Sequence, residues 1–243
     1  MSAQSRTRDG VADRIVLYAY DDQGRLLQSK TDSCDTGGTS DPACEQTDYT
    51  YDEQGNVLVE THYTGAPPVG TSGCTYYSYD ENGLLLSAEF YSWCDDSLPG
   101  GYSITYEYDA AGRLVAMHRD DPASTTLYEY DAADDVSTTT YLDGDGNVTL
   151  TVVYTRNAAG QPLIEERQYP EGDDSQWVRT YDASGNELTK KLVYLEGDSA
   201  GSEAYCDVAT YDDCGNQLTQ ISSSTCTDVA TTETTRSYAC FAE

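Results

Sequence analysis

Histidine, phenylalanine and tryptophan are nearly missing from this chain, with two of each among 243 residues. Two histidines, His62 and His118, leave little material for a catalytic triad or an imidazole metal site. No nucleophile elbow, phosphate-cradling glycine loop or His-Glu-x-x-His run occurs, so the usual catalytic signatures are missing as well. Basic residues are scarce: 13 Lys and Arg face 43 Asp and Glu, for a formal charge of −30 and a pI near 4.1. Duplex binding needs a Lys/Arg stripe over phosphates, and anionic membranes repel such a surface, so nucleic acid and membrane partners are not expected. No apolar run approaches the ~20 residues of a spanning helix, and residues 1–8 carry no signal-peptide hydrophobic segment. The eight cysteines include no Cys-x-x-Cys pair, which argues against a zinc-thiolate site.

What the chain does have is tyrosine, 22 of them. Tyrosine suits a half-buried strand, because its ring packs while its hydroxyl stays wet. The rings recur in one unit, seen in Tyr49-Thr50-Tyr51-Asp52-Glu53-Gln54-Gly55-Asn56-Val57-Leu58. A strand with alternate tyrosines runs into Asp-x-x-Gly, and a second strand follows. Matching turns are Asp21 with Gly24, Asp52 with Gly55, Asp80 with Gly83, and Asp109 with Gly112. A degraded unit pairs Asp131 with Asp134, and Asn157 with Gly160, Asp182 with Gly185 and Asp212 with Gly215 complete the set. Successive units lie 22 to 31 residues apart, and such a period marks a repeat architecture.

Each unit reads as a hairpin. The Asp carboxylate caps its own turn, and Gly supplies the positive φ. Gly-, Pro-, Ser- and Asp-rich segments between hairpins form turns at the opposite edge, so the chain goes up and down continuously. The expectation is an all-β fold, a curved or spiralling antiparallel meander of about sixteen strands built from eight hairpin repeats. A loose polar lead over 1–14 precedes a single β domain over 15–243. The Asp143-Gly-Asp-Gly-Asn147 segment would break the period as a unit, so it reads as an opposite-edge turn. A four-residue Asp-x-x-Gly loop would place both tyrosines and the residue three past the glycine (Leu27, Leu58 and Leu86 in the early units) on one face.

The cysteines follow the repeat. Cys74 and Cys206 each lie five residues before a unit's second tyrosine, and Cys94 and Cys226 each lie eleven after its glycine. Hence the expected bridges Cys74–Cys94 and Cys206–Cys226, with the second strand folding back to close them. Cys34–Cys44 closes one loop, and Cys214–Cys240 ties a turn to an incomplete ninth unit. Such a set belongs to an oxidising compartment, which places the protein extracellularly or on a cell surface in a form without its signal segment.

Tyr18-Ala-Tyr20-Asp21-Asp22-Gln23-Gly24-Arg25-Leu26 and Tyr106-Glu-Tyr108-Asp109-Ala-Ala-Gly112-Arg113-Leu114 resemble the YD repeats of the Rhs family almost letter for letter, and the likeness covers roughly 15–240. It implies long antiparallel β-strips that spiral, in the largest members into hollow shells around toxin cargo. Related repeats occur in surface and adhesion proteins, where carbohydrate binding is often proposed. Eight units are few for a cargo cavity and no Asp-Pro-x-Gly element occurs, so the fold carries over and the toxin-shell role does not.

Function follows as a non-enzymatic structural or adhesive role, with glycans stacking on exposed tyrosines and sheet edges pairing with neighbouring copies. Alternatives are an accessory component or fragment of an Rhs-type toxin system and, less favoured, a glycoside hydrolase using two carboxylates. Asp143, Asp145 and Asn147 have the 1-3-5 spacing of a calcium loop, but Val148 and Tyr154 stand where its Gly and Glu belong, so calcium is only a weak candidate and no other cofactor is expected. Non-reducing peptide mapping should link Cys74 to Cys94. A link from Cys74 to any other cysteine would break the repeat symmetry.

Overall fold

Hydrogen bonds close all eight units in the same way in the computed structural model, which describes residues 2–8, 11–31, 44–64, 71–94, 101–212, 214–226 and 232–235. In the Asp52 unit the Asp52 N–H donates to Asn56 O at 2.9 Å, and the Gly55 N–H donates to Asp52 O at 3.2 Å. Where the glycine is replaced, Asp134 still adopts φ 64°, a conformation Asp tolerates better than most side chains. The turn geometry thus outlasts the residue best suited to it.

The chain divides into two compact units, Met1–Ser124 and Thr125–Glu243. The first contains β1 (Ser2–Arg8), β2 (Val11–Tyr20), β3 (Leu26–Thr31), β4 (Glu45–Tyr51), β5 (Val57–Thr64), β6 (Thr71–Tyr79), β7 (Leu85–Tyr91), β8 (Gly101–Tyr108) and β9 (Leu114–Asp120), each antiparallel to the next. Next come β10 (Ala123–Tyr130), β11 (Val136–Asp143), β12 (Val148–Arg156), β13 (Pro162–Gln168), β14 (Ser175–Tyr181), β15 (Glu187–Tyr194), β16 (Glu203–Tyr211), β17 (Gln217–Ser223) and β18 (Thr232–Thr235), neighbours again in chain order. The fold is all-β: the described residues form an antiparallel meander of hairpins with no helix, and so none long and apolar enough to cross a membrane. The polar lead is not loose throughout. Ser2–Arg8 pairs with β2, and that ladder satisfies backbone groups that a free lead would leave to water.

The loop is not the four-residue one expected. Tyr51 lies opposite Val57 while Thr50 lies opposite Val59, so five residues connect the strands and Leu58 is the extra residue of a β-bulge. The same shift recurs after Tyr20, Tyr79, Tyr108, Tyr181 and Tyr211. Consequently the residue facing each second tyrosine is the one two past the glycine. The residue three past it is pushed out: Leu27, Leu58 and Leu86 are 40%, 38% and 42% exposed.

The bulge has a second effect, which the tyrosines answer. Tyr51 Oη donates to Leu26 O, Tyr79 to Val57 O, Tyr108 to Leu85 O, Tyr181 to Pro162 O and Tyr211 to Glu187 O, at 2.7 to 3.0 Å. Each acceptor is the carbonyl beside the bulge of the preceding unit, where the ladder is locally interrupted. Arg156 replaces the second tyrosine in its unit, and its Nη1 donates to Val136 O in the same fashion. On the opposite face, hydroxyl pairs such as Thr180–Thr189 and Thr210–Thr219, both 2.7 Å, link the strands of a hairpin.

The core is thin. Fully buried positions are small residues, among them Ala88, Ala116, Val152 and Thr139, with Cys44, Cys74 and Cys206. The Cys74–Cys94 and Cys206–Cys226 bridges both have Cα–Cα separations of 5.1 Å. Cys74 faces Tyr91 and Cys206 faces Ser223, so a bend of three residues after each strand returns the second cysteine to the first. Cys44 and Cys214 are disulfide-bonded, while Cys34 and Cys240 lie outside the described residues.

Tyr79→Phe should lower the urea-unfolding free energy by about 1–3 kcal/mol, because it leaves the Val57 carbonyl without its donor. Tyr20→Phe, at a ring 47% exposed, should change it by less than about 0.5 kcal/mol. Equal losses in the two variants would show that the inter-repeat bond contributes nothing.

Candidate functional site

The Asp carboxylates read from sequence as turn caps are engaged within their own turns. Asp80 Oδ1 accepts from the Asn82 and Leu84 N–H groups, both at 2.8 Å. Asp21 and Asp109 add arginine: Arg25 Nε and Arg113 Nε donate to the second carboxylate oxygen at 2.6 and 2.7 Å. Asn56, Asn186 and Asn216 close Asp52, Asp182 and Asp212 through their amides. The turns also touch one another, since Arg25 Nη1 reaches Asp52 O at 3.4 Å and Gln161 Nε2 reaches Gly185 O at 2.9 Å. Gly24, Gly55, Gly83, Gly112, Gly185 and Gly215 all take positive φ.

The calcium candidate has the same arrangement. Asp143 Oδ1 accepts from the Asp145 and Asn147 N–H groups at 2.9 Å, and Asn147 aims its amide nitrogen at Asp143. A calcium ligand would have to present the amide oxygen instead. Among the described residues no group of three His, Cys, Asp or Glu side chains is placed to hold a metal ion. The segment is an opposite-edge turn between β11 and β12, yet it copies the bonding of the repeat turns.

Concave sites open elsewhere, and one in each unit is lined by several aromatic rings. In the first, a cleft of about 390 Å3 is lined by Glu60, His62, Tyr77, Phe90, Tyr91 and Tyr102 among others. Phe90 stacks on Tyr102 with centroids 4.5 Å apart, and Arg119 covers the Tyr102 ring at 4.1 Å. Glu60, the one carboxylate of the lining among the described residues, is held by Tyr77 Oη at 3.1 Å and lies 3.2 Å from His62 Nε2. A lone engaged carboxylate does not make the acid–base pair that glycoside hydrolysis needs. Chain packing here depends on two glycines that no repeat rule flagged. A Cβ on Gly73 would sit 2.8 Å from Tyr91 O, and one on Gly101 would sit 2.9 Å from the Tyr91 ring. Trp93, next along, is 59% exposed, and Cys94 after it is bridged to Cys74.

In the second unit a groove of about 920 Å3 runs over the tyrosine-bearing face between the 143–147 turn and the 169–174 turn. Tyr169, Trp177 and Tyr194 line it with Arg167, Glu171 and Asp173. Deeper along this face runs an ionic chain. Arg167 Nη2 and Arg179 Nη2 contact Glu165 at 2.8 and 3.1 Å, and Arg179 Nε lies 3.6 Å from Glu187. Lys190 Nζ stands 4.5 Å over the Trp177 ring, whose edge meets Tyr205. Strand alternation put these residues on one face, but their charges gave no sign in sequence that they would neutralise one another.

Residues 3–191 match the Teneurin YD-shell family model. The chain belongs to that family. Its fold resembles a crystal structure of TcdB2-TccC3-TEV, at 16% identity and a TM-score of 0.54, covering 92% of this chain and 12% of that one. A Tc holotoxin pore of Photorhabdus luminescens carrying a TccC3 mutation is similar at 15% identity and a TM-score of 0.36, with 86% of this chain and 14% of that one covered. The YD-shell chain therefore spans about an eighth of the length of these solved structures. A comparison with the curated proteins finds no match.

Ionisation in this YD-shell segment follows from the same bonds. Backbone donation from Leu84 holds the Asp80 carboxyl below the usual range, and donation from Arg113 does so for Asp109. Amide donation from Asn147, Asn186 and Asn216 does likewise for Asp143, Asp182 and Asp212. A carboxyl lowered by folding stabilises the fold above its unfolded pKa of about 3.9, and that stabilisation fades as pH falls through the lower folded value. Tyrosines shift the other way. Burial, then the Glu60 charge, pushes Tyr77 up to about 12, and burial raises Tyr79, Tyr106, Tyr108 and Tyr181. Their contribution is complete below about pH 10 and is lost as pH rises through the folded values. The melting temperature should thus hold a plateau between about pH 5 and 9 and fall on both sides. Absorbance at 295 nm should show a tyrosine class titrating above the normal range, and one normal transition would overturn the assignment.

Proposed function

We propose that this YD-shell chain is a non-enzymatic structural and adhesive segment of a protein that works outside the cell, and that it contacts glycans through exposed aromatic side chains. The observation that carries the reading is the first-unit cleft: Phe90, Tyr91 and Tyr102 line a concavity beside an open Trp93 held at a disulfide. Aromatic faces with nearby hydrogen-bonding groups suit the apolar face and hydroxyl rim of a sugar ring. Bridged cysteines support an oxidising setting. Pairing of sheet edges with neighbouring copies belongs to the same reading, opposed at low salt by the charge of −30.

The second reading is a component of an Rhs-type toxin assembly. Its support is the fold likeness to TcdB2-TccC3-TEV, of which this chain spans only 12%. An adjacent toxin–immunity gene pair would favour it. For the first reading, a glycan array should give selective binding that Trp93→Ala reduces at least about fivefold while the melting temperature holds. An array without any signal overturns the glycan assignment.

A further inference from the structure

We infer that the second-unit groove is a docking site for a lysine- or arginine-bearing polypeptide segment. This proposal stands apart from the glycan reading, being on a different unit and addressed to a different chemistry. Two rings in the groove wall are open, Tyr169 at 38% and Tyr194 at 37% exposure. Their neighbours on the 169–174 turn, Glu171 and Asp173, are exposed, and among the described residues no side-chain bond or ion pair engages either carboxylate. Glu196 adds a third acid, its Oε2 lying 3.5 Å from where a Cβ on Gly172 would stand. The cation in the lining, Arg167, is already paired with Glu165 at 2.8 Å. The groove therefore offers uncompensated negative charge beside aromatic faces, the combination that holds an ammonium or guanidinium by charge and by cation–π attraction.

The face already receives a cation in this way, since Lys190 stands 4.5 Å over Trp177. That contact occupies Trp177; the hydroxyl of Tyr169 is met by Arg167, and the ring faces of Tyr169 and Tyr194 are left for an incoming side chain. At about 920 Å3 the groove is large enough for several side chains. The charge of −30 would draw a basic partner from a distance and repel an acidic one. A neutral saccharide gains nothing from that field, so a basic segment is the occupant the charges favour.

The test is fluorescence anisotropy of the full chain with dye-labelled hexalysine and a neutral Gly-Ser hexapeptide, at low and moderate salt. Wild type should bind hexalysine, more tightly at low salt, and ignore the neutral peptide. Glu171→Gln with Asp173→Asn, and separately Tyr169→Ala with Tyr194→Ala, should each weaken binding about tenfold. Glu53→Gln with Glu81→Gln removes the same charge from exposed turns of the first unit and should change it less than about twofold. Circular dichroism and melting temperature establish that each variant folds. Equal losses in the groove and control variants would reduce the effect to diffuse charge and overturn the site. Absence of hexalysine binding overturns it as well, as does maltohexaose binding that only the tyrosine variant abolishes. None of these results depends on whether Trp93 binds a glycan.

Discussion

A tyrosine hydroxyl donating to a backbone carbonyl beside the preceding unit's bulge is the interaction on which the repeat depends. A bulge interrupts the ladder locally and leaves a main-chain acceptor in need of a donor. Tyrosine is the side chain that reaches it while burying a ring along the way. Tyr51, Tyr79, Tyr108, Tyr181 and Tyr211 repeat the bond with only a few tenths of an ångström of spread. Phenylalanine would pack as well but leave the carbonyl unmet, which accounts for tyrosine at these five positions. Arg156 makes the same bond to Val136, so the requirement is for a long donor rather than for a phenol. Pro162 serves as an acceptor because that position supplies only its carbonyl.

Around that bond the other parts find their purpose. Each Asp turn engages its own carboxylate, which makes the motif that names the family a scaffold element. Among the described residues the buried side chains are small: alanine, serine, threonine, cysteine and one valine. In a fold with so little apolar interior, bridges of twenty-residue separation contribute materially to stability. The ends of the strands away from the Asp turns escape the repeat's constraints. There the connections differ from one another, and both the first-unit cleft and the second-unit groove lie at such ends.

The Asp-x-x-Gly period, the all-β meander and the opposite-edge place of residues 143–147 were legible in sequence because each follows from local chemistry. Side-chain capping, positive φ and strand alternation act within a few residues. The bulge was not legible. In a four-residue loop Leu58 shares the face of the tyrosines, as the apolar pattern near the turn suggests, whereas the bulge carries it to the opposite face and into water. Only the hydroxyl bond to the neighbouring unit, formed across 25 residues between Tyr51 and Leu26, selects the bulged form. The disulfide spacing was visible from repeat symmetry, whereas the three-residue overshoot that closes it depends on that bulge.

The grooves lie further from sequence still. Tyr169 and Tyr194 are 25 positions apart and look like any other strand-end aromatics in the chain; β14 and β15 between them bring both to one wall. Glu165, Arg167, Arg179 and Glu187 are scattered acids and bases until pairing of adjacent strands sets them on one face. What the amino-acid sequence determined alone was the repeat, its turns and its strand alternation, because those rest on interactions between near neighbours. What tertiary structure decided was register, which leucines face water, and where charge is left uncompensated, because those depend on which strand lies beside which.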